Sequence, residues 1–280
     1  MKTKKRITLI TVIAVFLLVL ATRGVCEYTI WDCPECGRTG NTGNFCGGCG
    51  CPATTNDGGP SERRANRSVA IGDIITFGTY PQTSEGTDQT PIEWIVLDIQ
   101  EGKALLLSKH GLDAKPFNTK HKDITWEKCT LRIWMNNTFL RSAFTDKERL
   151  AILTTNVDNS DSQGYRGWRT TGGNNTEDQI FLLSYAEAKK YLEVAYKDAI
   201  NKKSCVSPTA YAKAQGASAN SDFKTDDENA AGWWWLRSPG YYQSNAARVY
   251  SGGWLRDHSV SNACGSVRPA LWINLESDIV

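Results

Sequence analysis

The run Trp233-Trp234-Trp235-Leu236 constrains the fold of this chain more than any other stretch. Side chains alternate across an extended strand, so Trp233 and Trp235 leave one face and Trp234 and Leu236 the other. A buried indole removes about 150–250 Å² from water, so at least one of these pairs belongs to a core. The segments that follow, AARVYS, GWLRD and SVRPALWINL, are also short, rich in β-formers and separated by glycine-containing turns. The last fifty residues therefore read as a set of strands.

The main domain opens in the same way near Val69, where IGDIITFGTYPQ, PIEWIVLDIQ and KALLLSK predict an antiparallel meander. Between the two β blocks the pattern turns helical. TWEKCTLRIWMNNTFLRSAF sets Leu131, Trp134 and Met135 on one helical face. Thr145 with Glu148, and Ser184 with Glu187, have the spacing of capping boxes. SPTAYAKAQ predicts a further helix capped by Ser207, with Pro208 in its first turn. Two polar, glycine-bearing loops, DNSDSQGYRGWRTTGGNNTED and GASANSDFKTDDENAAG, are of a length that usually serves function or motion rather than packing. Strands, then helices and long loops, then strands again make an α+β plan and not an alternating parallel one. Ten Trp, ten Tyr and 24 Gly with only two Met suit such a domain better than a helical bundle.

The N-terminus is different in kind. Lys2, Lys4, Lys5 and Arg6 precede an uncharged, mostly apolar run from Ile7 to Ala21, shorter than the ~20 residues a spanning helix needs. Residues 1–26 thus read as an export signal, with an uncleaved membrane anchor as the alternative; either sends the remainder of the chain out of the cell. Cys26 is a poor match to a lipid-attachment box. Of nine cysteines, six fall between Cys26 and Cys51. Cys33 with Cys36, and Cys46 with Cys49, form two C-x-x-C pairs, each followed by a glycine that lets backbone amides turn toward the thiolates. Residues 27–53 therefore read as a small structural zinc ribbon, Trp31 and Phe45 supplying its plug. Two disulfides are the other reading, favoured by an exported setting. Four thiolates leave a zinc ion no open position for catalysis. Residues 54–68 are a polar Gly/Pro-containing linker, and residues 69–280 form the main domain.

Function is harder to read. The formal charge of +2 implies no attraction to nucleic acid. Three histidines, His110, His121 and His258, and no metalloprotease helix, nucleophile elbow or phosphate loop argue against recognisable enzyme chemistry. Cys129, Cys205 and Cys264 stand alone in unlike contexts, and Cys129 reads as a small buried apolar residue. Asp222, Asp226, Asp227 and Glu228 fit no specific calcium loop and read as a solvated charge run, so no calcium is expected. Arg237 and Arg268 each lie one or two residues before a proline, and their guanidiniums suit tying carbonyls or carboxylates across the closing sheet; ligand contact is the alternative. With Trp233 and Trp235 they are taken as structural.

YPQ at 80–82, PIEWIVLD at 91–98, ALLLSK at 104–109, LRIWMNNTF at 131–139, FLLS at 181–184, WWLRSPG at 234–240 and VRPALWINL at 267–275 resemble domain of unknown function 6273. That bacterial family is often carried on exported or membrane-anchored proteins, some with zinc ribbons. The closing W-x-R, Ala-x-V and V-R-P strands are also similar to the C-type-lectin-like fold of formylglycine-generating enzymes and of retroelement-diversified variable proteins. The resemblance implies a lectin-like mixed domain of short, mostly antiparallel strands, several helices and long loops.

Between the two arginines the composition changes character. The stretch 241–266 is dense in residues reachable from an AAC or AAT codon by changing its first two bases, as adenine-directed mutagenesis does in those variable proteins. Large amphipathic side chains there are Tyr241, Tyr242, Tyr250 and Trp254; small polar ones are Ser244, Asn245, Ser251, Ser259, Ser261, Asn262 and Ser266; charged or titratable ones are Arg248, Arg256, Asp257 and His258. Such a set resembles an antibody paratope, and ordinary solvated turns are the plain alternative. The expectation is a non-enzymatic exported or membrane-tethered protein that binds an extracellular glycan or protein through this face. An exported enzyme with an unrecognised site, and a scaffolding module docked through its ribbon, are the competing readings.

Overall fold

The computed structural model describes residues 69–196 and 199–277, and a short ladder near the N-terminus. The chain divides into two compact units, Met1–Arg67 and Ser68–Val280. In the first, β1 (Ile30–Trp31) pairs antiparallel with β2 (Asn41–Thr42), Ile30 opposite Thr42. The apolar run Ile7–Ala21, Cys26 and the four expected zinc ligands Cys33, Cys36, Cys46 and Cys49 lie outside the described residues. Among the described residues no helix is long and apolar enough to cross a membrane.

The second unit begins with the meander β3 (Ile74–Tyr80), β4 (Thr90–Gln100) and β5 (Lys103–Ser108), followed by the two-residue strand β6 (Asp113–Ala114). A helical middle follows. α1 (Thr130–Trp134) runs through one π-helical turn (Met135–Phe139) into α2 (Leu140–Ala143), and α3 (Asp146–Ala151) comes next. The hairpin β7 (Thr155–Val157) and β8 (Thr176–Asp178) encloses a long loop, after which come α4 (Tyr185–Leu192) and α5 (Ala210–Ala214). A second hairpin, β9 (Asn220–Lys224) with β10 (Ala230–Ala231), precedes the closing strands. These are β11 (Trp234–Pro239), β12 (Asn245–Val249), β13 (Leu255–Ser259), β14 (Ser266–Val267) and β15 (Ala270–Asn274).

Two main sheets result. One has the order β15-β5-β4-β3 and is antiparallel throughout; the other has the order β13-β12-β11-β14-β6, with a single parallel pairing between β11 and β14. Register shifts in β3/β4, β4/β5 and β11/β12 curl both sheets, because an extra residue on one strand bends it and sharpens its twist. The fold is thus mixed α/β, with curled antiparallel sheets and few helices.

The tryptophan strand explains why the sheets close on each other. Trp234, Trp235 and Leu236 are fully buried and Trp233 nearly so, so both faces of β11 are core. Trp233 and Trp235 meet edge to face at 4.8 Å, and Trp235 extends that face to Phe117. On the other face the Arg268 guanidinium lies 4.8 Å over the Trp234 ring. Four buried indole N–H groups donate within the core: Trp234 to Ser204 O, Trp235 to Lys115 O, Trp94 to Phe77 O and Trp126 to Asp178 Oδ2.

Both expected capping boxes are formed, at Thr145/Glu148 and Ser184/Glu187. The helix expected from Ser207 begins later, with Thr209 as its cap. Ser207 is held away from helical geometry: its Oγ meets His110 Nδ1 at 3.1 Å, and its carbonyl accepts from Gly111 N. The second long loop expected at 216–232 contains the β9/β10 hairpin. In the π turn, Asn136 holds the far chain with three bonds: its Oδ1 accepts from Gln179 N and Ile180 N, and its Nδ2 donates to Ile180 O.

Candidate functional site

The 15 expected contact residues divide into three groups. Ser251, Trp254 and Ser266 are buried, so they present nothing to a ligand; this corrects the expectation at those positions. Ser251 lends its carbonyl to the Cys205 thiol, and Trp254 packs against Tyr250 at 4.9 Å and Phe223 at 5.4 Å, Tyr250 and Phe223 being themselves 5.7 Å apart. Ser266 stands in the short strand β14 opposite Ala114.

A second group is spent within the protein. Arg248 lies 4.6 Å over Trp233 and 5.3 Å over Tyr250, and its Nε donates to the Asp257 carbonyl. Burial lowers the Arg248 pKa to about 10. His258 stacks on Trp233 at 5.5 Å and contacts Asn262 through Nε2; burial, then the Arg248 charge, holds its pKa below the ordinary histidine value. Ser259 Oγ contacts both His121 Nδ1 and Ser261 Oγ. Ser244 is half-buried, and its carbonyl accepts from Val260 N.

Tyr241, Tyr242, Asn245, Arg256 and Asp257 come together as a third group. With Trp168 and Tyr196 they line an open cleft of about 650 Å³. The β11–β12 turn carries the two tyrosines out to 56% and 63% exposure, their rings meeting edge to face at 4.8 Å. Asp257 fixes that turn: its Oδ2 accepts from Tyr241 N at 2.9 Å and from Asn245 Nδ2 at 2.8 Å. Gly240 allows the approach, since a Cβ there would stand 2.7 Å from the Cβ atoms of both Asn245 and Asp257. Arg256 Nη1 reaches the Leu255 and Tyr196 carbonyls, and its guanidinium lies 5.9 Å from the Trp254 ring.

Trp168 and Tyr196 were not among the expected contacts. Tyr165 stacks on Tyr196 at 4.5 Å and meets Trp168 and Tyr185 edge to face, so the loop between β7 and β8, with α4 and the segment after it, builds one wall of aromatic rings. The same Trp168 borders a second, adjoining cleft of about 400 Å³ that contains Tyr165, Arg166, Arg169, Thr170 and Thr171. Only the length and glycine content of that loop hinted at this role. The wall is anchored by Ser238 Oγ donating to Gln163 O, by Gln163 Oε1 accepting from Ser184 Oγ, and by Gly172 N donating to Asp161 Oδ1.

The two arginines taken as structural are both buried. Arg237 uses five donors: Nε to Asn159 Oδ1, Nη1 to Leu182 O and Glu187 Oε2, and Nη2 to Asp158 O and Glu187 Oε1. Arg268 gives Nε to Ser108 O at 2.9 Å, and its Nη1 has no partner among the described residues.

Two of the lone cysteines are buried. Burial pushes the Cys129 thiol up to about 12, and burial followed by the Asp226 charge raises that of Cys205. Neither is the lowered-pKa thiol of a reactive site. Among the described residues no group of three or more His, Cys, Asp or Glu is placed to hold a metal ion.

A mixed α/β domain with curled antiparallel sheets, which opens an aromatic cleft beside the β11–β12 turn, is the architecture in hand. The chain belongs to the family described as Domain of unknown function (DUF6273), whose model matches residues 101–275. No curated protein and no solved structure matches it.

Proposed function

We propose that this is an exported or membrane-tethered binding protein whose ligand, an acidic glycan, is held in the cleft between the β11–β12 turn and the loop joining β7 to β8. The observation that carries this reading is the convergence of Trp168, Tyr196, Tyr241 and Tyr242 around Asn245, Arg256 and Asp257. Aromatic faces cover the apolar faces of sugar rings, while an amide, a carboxylate and a guanidinium meet hydroxyls. Arg166 and Arg169, in the adjoining cleft, have no hydrogen-bond or ion-pair partner for their side chains among the described residues. They favour a ligand with carboxylate or sulfate groups over a neutral one. A lectin-like fold suits the mixed sheets and long loops, and the signal or anchor at residues 1–26 suits an extracellular ligand.

The diversified-face idea narrows under this reading to Tyr241, Tyr242, Asn245, Arg256 and Asp257, the expected positions that reach the cleft. A template repeat in the genome differing only at adenines is its test. The N-terminal unit keeps its zinc proposal: β1 leads toward Cys33 and β2 toward Cys46, a hairpin arrangement that suits two facing knuckles. Metal analysis of the purified full chain should return one zinc per chain.

A glycan array probed with the full chain, followed by titration of the best hit, tests the main reading. The double variant Tyr241→Ala/Tyr242→Ala should weaken binding at least about tenfold with an unchanged melting temperature, and binding should fall as salt rises. A variant that binds as tightly as the native chain, or an array on which no glycan is bound, removes the glycan cleft.

A further inference from the structure

A third cavity, of about 230 Å³, shares no residue with the aromatic cleft or the cleft adjoining it. Its lining includes Lys109, Lys202, Lys203, Cys205, Ser207 and Arg268. We infer that it is a binding site for a small oxyanion, a phosphate, sulfate or carboxylate group, taken directly by the Arg268 guanidinium.

Arg268 carries the argument. Only 2% of it is exposed, it faces the cavity, and its Nη1 has no hydrogen-bond partner among the described residues. A buried guanidinium without a counter-charge is costly, and proteins normally pair such a group. Arg237 shows how fully this same fold can do so. No carboxylate forms an ion pair with Arg268 among the described residues; one carbonyl, Ser108 O, and the face of Trp234 are what it has. Burial lowers its pKa to about 9, the direction expected of a cation short of an anion.

The surroundings point the same way. His110 Nε2 lies 3.6 Å from Glu93 Oε2, yet burial, followed by the Lys109 charge and then, behind the opposing effect of Glu93, the Arg268 charge, holds its pKa below the ordinary value. Lys202 and Lys203 pair with Glu228 and Glu193 across exposed contacts at 3.3 and 2.8 Å. Lys109 pairs with Glu93 at 3.2 Å and approaches Asp227 at 4.0 Å. Exposed pairs of this kind contribute little, so the lysines can turn to an incoming anion at small cost. Asp226 and Asp227 also line the cavity; they limit the anion's size and charge and stand against any anion bound through the lysines alone. The oxyanion therefore needs the guanidinium, whose planar fork matches two of its oxygens.

The test uses the full chain at constant ionic strength. Melting temperature and calorimetric titration are measured with inorganic phosphate, sulfate and acetate as probes against chloride. A saturable response to phosphate or sulfate assigns a tetrahedral anion, and one to acetate alone assigns a carboxylate; either supports the site. Arg268→Gln should abolish the response or weaken affinity at least about tenfold. Should that variant not fold, Lys202→Gln/Lys203→Gln, which alters exposed side chains, should still weaken affinity severalfold. No saturable response to any of the three anions, or a native response in Arg268→Gln, overturns the site and leaves the guanidinium to ordered water. An intact glycan response in Arg268→Gln separates this outcome from failure of the aromatic cleft.

Discussion

Arg237 and Arg268 invite comparison because they begin alike: both are buried, both lie among the closing strands, Arg237 in β11 and Arg268 in the link between β14 and β15, and both stand just before a proline. Arg237 has five donors and uses five, two of them on the Glu187 carboxylate that also completes the cap of α4. Arg268 has an aromatic face and a carbonyl, and a nitrogen with nothing to meet. A saturated guanidinium is a structural tie; an unsaturated one facing a cavity is an invitation to an anion. The lesson is that burial alone does not separate frame from site, whereas a complete account of donors does.

The largest expected effect falls on the saturated member. Arg237→Met should cost about 3–5 kcal/mol in urea unfolding, because it strands Glu187 and three acceptors in a poorly solvated place. Arg268→Gln should cost only about 1 kcal/mol, the worth of one lost bond to a carbonyl. Equal losses in the two variants would erase the distinction. The smallest effect concerns pH. His110 beside Arg268 has its folded-state pKa lowered by burial first, so the unfolded chain binds the extra proton more readily. Stability is then fully present above the unfolded value near 6.5 and is lost as pH falls through the lower folded one. His110→Gln should therefore lose less stability between pH 7 and pH 5 than the native chain. Part of the loss should persist, since His258 is shifted in the same direction. Identical pH profiles would mean that folding does not shift His110.

Those features of the fold whose cause is local were legible in the sequence. Thr145 with Glu148 and Ser184 with Glu187 need only one helical turn to find each other, and both form. The meander β3-β4-β5 follows from strand-forming runs separated by turns, and the tryptophan alternation from the period of a strand. The start of α5 was misplaced because Ser207 is recruited by His110, 97 residues earlier, which no local pattern announces. The π turn was likewise hidden: its value lies in aiming Asn136 at a backbone 44 residues away.

The site was half legible. Composition singled out 241–266, and five of its residues reach the cleft. It did not separate them from Arg248 and His258, whose chemistry is the same but which stack on Trp233, nor from Ser266, which β14 carries into the core. Trp168 and Tyr196 belong to the cleft by tertiary placement alone. The sequence context of Arg268 reads as frame, whereas its unpartnered Nη1 and its place on a cavity wall set it apart from Arg237.

Gly240 fits closely under the rim, and a new side chain at this one position would drive apart Asn245 and Asp257 and release the turn that presents both tyrosines. The exposed rings of Tyr241 and Tyr242 carry no such constraint, so a change there leaves the junction beneath them intact. On the proposed reading, the contacts offered by the rim and the fold that carries them are set by different residues.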